Sequence, residues 1–90
     1  MKLTPAAAEV IAVDALMFIA ADDDLLSRFV ALTGLDPSTV RSEIQKPAFL
    51  HGVMHFLVED ERLLVAFAAS AGLKPEQVAA AAMALGVRWE

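Results

Sequence analysis

The chain offers only a few side-chain combinations that could do chemistry, and each can be weighed in turn. His51 and His55 stand four residues apart in the string HGVMH, and Glu59 continues the same register. On a helix these three fall within about 80° of one face. Two imidazoles and a carboxylate are ligands that zinc accepts, so one reading is a small metal- or ligand-binding protein centred on His51 and His55. The string lacks the internal glutamate of HExxH, and no fourth ligand stands near it. Phe49, Leu50, Val53, Met54, Leu57 and Val58 fill the rest of the wheel. The histidine stripe then reads as the solvent side of an amphipathic helix, and no metal site is expected.

Asp22, Asp23 and Asp24 form an acidic run. A calcium loop needs ligands at alternating positions, a glycine at the sixth and a closing glutamate, but here leucines follow at once. The run reads instead as a helix N-terminus, where negative charge meets the positive end of the macrodipole. Asp14 is an acid within an otherwise apolar stretch, and a partner arginine (Arg28, Arg41 or Arg62) is the expected reason for it. No Gly-rich phosphate loop, GxSxG elbow or dinucleotide fingerprint is present. The chain has no cysteine, which removes thiolate ligands, disulfides and cysteine nucleophiles together. No enzyme activity, catalytic residue or cofactor is expected.

The string FVALTGLDPSTVRSEI has the outline of a helix-turn-helix, with its turn at Gly34 and a second helix from Pro37. In a DNA-binding regulator Ser38, Thr39, Arg41 and Ser42 would face the major groove. Asp36 and Glu43 flank that helix and repel phosphate. The same turn recurs at Gly72 before PEQVAAAAMA, which has almost nothing to read a base with. A net charge of -5 further disfavours a nucleic-acid partner.

These residues must be positioned by very little protein. Ninety residues make one small domain over 1–90, and size scaling gives it a folded surface of roughly 5,100 Å². Hydrophobic residues reach 58%, but 18 of them are alanine, which adds helix propensity more than buried area. Met1 and Lys2 before an apolar stretch superficially suggest a secretory leader. Glu9 and Asp14 interrupt that stretch, which is also too short to span a bilayer, so no membrane partner and a cytoplasmic location are expected.

An internal repeat organises the chain. Residues 18–44 align with 56–82 at an offset of 38 without a gap, with 10 identities among 27 positions. Asp22 and Asp60 precede paired leucines as N-caps. Gly34 and Gly72 close the helices that follow, because glycine reaches the left-handed region without steric cost. Leu35 with Val40, and Leu73 with Val78, hold hydrophobic-staple positions, and Gln77 can supply half of a capping box. The reading is an all-α bundle of six short helices near 5–21, 23–33, 37–45, 47–59, 61–71 and 75–86. They form two similar three-helix units, 5–46 and 47–86, sharing one core.

The strings LLSRFVALTGLDP and LLVAFAASAGLKP, with PAFLHGVMHFLVEDERLL, resemble a family of short bacterial proteins catalogued as domain of unknown function 3572. The resemblance runs from Leu16 to Leu85. It implies an all-helical fold and carries no activity or site residue with it.

With little chemistry on offer, the leading expectation is a non-enzymatic protein–protein interaction or accessory module. The first helix carries large apolar residues nearly all round, and a helix of that kind is normally covered on every side. Val10, Val13 and Met17 are the expected interaction face. Its cover is expected to be a second copy in a homodimer or another protein partner, unless Val87 and Trp89 fold back over it.

Overall fold

Thr4 opens the first helix: its Oγ1 accepts a hydrogen bond from the Ala7 amide at 3.2 Å, and Pro5 follows in the first helical position. The computed structural model describes residues 3–34, 36, 38, 42 and 46–87, and among these it holds five α-helices and no strand. They are α1 (Pro5–Ala20), α2 (Asp23–Thr33), α3 (Pro47–Val58), α4 (Glu61–Ala71) and α5 (Pro75–Ala84). Of the six expected helices, five stand among the described residues; of the expected helix over 37–45, all but Ser38 and Ser42 lies outside them.

Local chemistry sets most helix ends. Asp22 Oδ1 accepts from the amides of Asp24 (2.9 Å) and Leu25 (3.1 Å) at the start of α2. Asp60 Oδ1 does the same for Arg62 (3.0 Å) and Leu63 (3.3 Å) at the start of α4. Gly34 and Gly72 end these two helices in the left-handed region, with φ of 69° and 71°. Gln77 Oε1 accepts from the Lys74 amide at 2.9 Å, the half of a capping box that a lysine N-cap allows. The last helix stops earlier than expected, at Ala84. A third left-handed glycine, Gly86, turns the chain there, and the Val87 amide donates back to the Ala82 carbonyl.

The first helix is the centre of the bundle. It touches all four other helices and packs most extensively on α5 and α3. Its buried residues are Ala8, Ala12, Ala15, Leu16 and Ile19, and α5 buries Val78, Ala81 and Ala82. Small side chains on both helices let their backbones approach closely, so the alanines that add little area still decide the packing distance. The third helix supplies the bulk, burying Leu50, Val53, Met54, Phe56, Leu57 and Val58. Phenylalanines bind the outer helices to this centre. Phe29 of α2 meets Phe49 and Phe56 of α3 edge-on at 6.0 and 5.3 Å, and Phe67 of α4 meets Phe18 of α1 at 5.5 Å.

Candidate interaction face

The outer face of α1 forms because its buried stripe recurs at 8, 12, 15, 16 and 19, the spacing of one helix side. The opposite side therefore points to water whatever its composition. Val10 and Met17, two turns apart, remain 63% and 65% exposed. Val13, expected beside them, sits at the margin: it is half-buried and packs against the core. Val87 is buried, yet Val10 and Met17 stay exposed, so its burial does not cover them. Trp89 lies outside the described residues.

Polar groups frame the stripe. Ala6, Asp14, Ala20 and Ala21 are exposed with Val10 and Met17, and Glu9 is exposed at its other edge. Among the described residues Asp14 has no arginine partner of the kind expected. Arg28 lies 3.8 Å from Asp60 and stacks over the Phe56 ring at 5.8 Å, and Arg41 lies outside the described residues. The fold tolerates Asp14 because the carboxylate faces solvent, where an ion costs nothing to keep hydrated.

The histidines do not converge on a common point. Their rings lie nearly parallel with centroids 6.3 Å apart. His51 Nε2 is 3.3 Å from the Gly86 carbonyl oxygen, and His55 Nε2 is 3.1 Å from Glu59 Oε1. Both partners are acceptors, so each contact takes an Nε2–H as donor and occupies that nitrogen of the ring. Among the described residues no group of three or more His, Asp or Glu side chains is placed to hold a metal ion. The stripe is also less open than expected: both histidines are half-buried, and His51 braces the turn after α5. That contact spans 35 residues, so nothing local in the sequence signals it.

Of the helix-turn-helix residues, Thr39 and Arg41 lie outside the described residues, while Ser38 and Ser42 are exposed. The Ser38 amide donates to Asp36 Oδ1 at 2.9 Å. This bond, with a second from the Ser38 side chain, holds the Asp36 carboxyl below its ordinary pKa. Asp22, Asp23 and Asp24 form a helix start rather than a cation loop, with Asp22 spent on capping. Among the described residues no helix is long and apolar enough to cross a membrane.

An all-helical bundle with exposed apolar residues on its central helix defines a class of architecture rather than a chemistry. The chain belongs to the family described as protein of unknown function (DUF3572), whose model matches residues 5–87. No curated protein and no solved structure matches it.

Proposed function

We propose that the protein acts without catalysis, by binding another polypeptide through the outer face of α1 in the cytoplasm. The observation that carries this reading is the pair Val10 and Met17, exposed on the helix that organises the whole bundle. Their exposed part forgoes about 1–2 kcal/mol of burial each, a cost that a partner would remove. The fold has the freedom to avoid it, since polar residues at these two positions would leave the buried stripe untouched.

The same reading takes the chain as two related units, 5–46 and 47–86, packed face to face. Support comes from buried positions 12, 15, 16 and 19 in α1 recurring as 50, 53, 54 and 57 in α3, each 38 residues on. The phenylalanine pairs add to it. The repeat equates Phe18 with Phe56 and Phe29 with Phe67, and the pairs formed are Phe18–Phe67 and Phe56–Phe29. Each is the other under exchange of the units, as an approximate two-fold axis requires.

A photo-crosslinking residue at Met17, compared in cells with one at exposed Ser70 of α4, tests the reading. The expected result is a discrete protein adduct from position 17 that position 70 does not give. Equal adducts from both positions, or none from either, overturns it.

A further inference from the structure

We infer that the partner of the α1 face is a basic amphipathic helix, not a second copy of this chain; the inference rests on the interaction reading above and specifies its partner. Residues 5–27 contain Glu9, Asp14, Asp22, Asp23 and Asp24 and no lysine, arginine or histidine. The five acids are exposed, and their arrangement follows the apolar stripe. On the helical wheel Asp14 lies on one side of Val10 and Met17, and Glu9 lies on the other beyond Ala6 and Val13. The three aspartates stand just past the C-terminal end of α1; Asp22 is spent on capping α2, and Asp23 and Asp24 lie in the first turn of that helix. The result is an apolar strip about 21 Å long, from Ala6 to Ala20, edged and ended by carboxylates.

Charge decides between the candidate occupants. Two copies meeting along this strip would set Glu9 and Asp14 of each against those of the other. Segment 5–27 supplies no cation to pair with them, and like charges facing one another disfavour such contacts. A nucleic acid or an anionic bilayer meets the same repulsion. A helix with apolar residues three and four apart and lysines or arginines on its flanks satisfies both features at once. Its apolar face covers Val10 and Met17, and its flanking cations reach Glu9 and Asp14. Arg28, the first base after the segment, is already turned to Asp60 and Phe56.

The test uses the full chain and two peptides of about five helical turns, one built from leucine and lysine and one with glutamate at every lysine position. Binding is read by fluorescence anisotropy of the labelled peptide and by backbone amide shifts of the protein. The expected result is saturable binding of the lysine peptide alone, weakened by salt, with shifts centred on Val10, Val13 and Met17. The double variant Glu9→Lys, Asp14→Lys should weaken it about tenfold, because two exposed attractive contacts become repulsive. Both sites are exposed, so the variant keeps its fold, which its amide spectrum verifies. Equal binding of the two peptides, or shifts away from α1, overturns the inference. So does sedimentation as a dimer with concentration-dependent shifts at Val10 and Met17, which assigns the face to a second copy. If position 17 crosslinks a discrete protein but the lysine peptide does not bind, only the partner class falls. If both fail, the interaction reading falls with it.

Discussion

The ring of Phe67 meets the ring of Phe18 edge-on, with centroids 5.5 Å apart and planes inclined at 64°. Phe67 is 1% exposed and Phe18 half-buried, so the contact joins the deepest part of α4 to the flank of α1. Edge-to-face geometry places the positive rim of one ring against the negative face of the other.

A double-mutant cycle with Phe18→Leu and Phe67→Leu is expected to give a coupling of about 0.5–1.5 kcal/mol in urea unfolding. The cycle with Phe29→Leu and Phe56→Leu should give a coupling of the same sign and similar size, since that pair has nearly the same geometry. Additive losses in both would show that the rings contribute area alone.

The two aspartate caps separate charge from hydrogen bonding. Asp22→Ala should cost about 1 kcal/mol, and Asp60→Ala at least as much. Asp60→Asn should restore most of the loss, because asparagine caps as well as aspartate while abandoning the ion pair with Arg28. That pair is 3.8 Å long between side chains 57% and 42% exposed, and water screens it to little worth. A failure of asparagine to rescue would transfer the stabilisation from the cap to the charge.

Glycine substitutions should fall on both sides of zero. A Cβ at Gly34, Gly52 or Gly72 meets nothing within 4 Å, so backbone conformation alone sets the outcome. Alanine at Gly34 or Gly72 is forced into the left-handed region and should cost about 1–2 kcal/mol. Gly52 lies inside α3 at an ordinary helical angle, and Gly52→Ala should stabilise the protein by about 0.5–1 kcal/mol. Thermal denaturation of the three variants checks the signs.

Asp36 carries a pH signature. Its carboxyl is held low by the Ser38 backbone bond first and the Ser38 side-chain bond second. A folded pKa below the unfolded one means that its contribution is complete above the unfolded value. It is lost as pH falls through the folded value. In a carboxyl-detected titration Ser38→Ala should move Asp36 part of the way back toward ordinary aspartate, leaving the backbone bond in place. No movement would assign the whole effect to that backbone bond.

The helix ends were legible because caps are local: Asp22, Asp60, Gly34 and Gly72 need only their neighbours within four residues to act. Gly86 carries the same signal just past an alanine-rich run, and its left-handed turn ends α5 two residues before the expected limit. The burial of α1 was not legible. With Val10, Ile11, Val13, Leu16, Met17, Phe18 and Ile19 around one helix, large residues do not mark the inner side. The alanines at 8, 12 and 15 do, and they count as core only once a partner helix with small residues faces them. The Gly86 contact of His51 and the solvent exposure of Asp14 depend on how helices are placed in space, which neighbouring residues do not encode.

The central place of α1 also bears on how the chain acquires its shape during synthesis. Its most extensive packing is on α5, and the alanines they bury, Ala15 and Ala81 among them, lie far apart in sequence. At synthesis rates of about 5–20 residues per second, roughly 3–13 s separate the two alanines' addition to the chain. Throughout that interval the bundle lacks one of its walls, however well the individual helices are capped. Native closure therefore waits for α5, and α1 stays open along one side until that later helix is made.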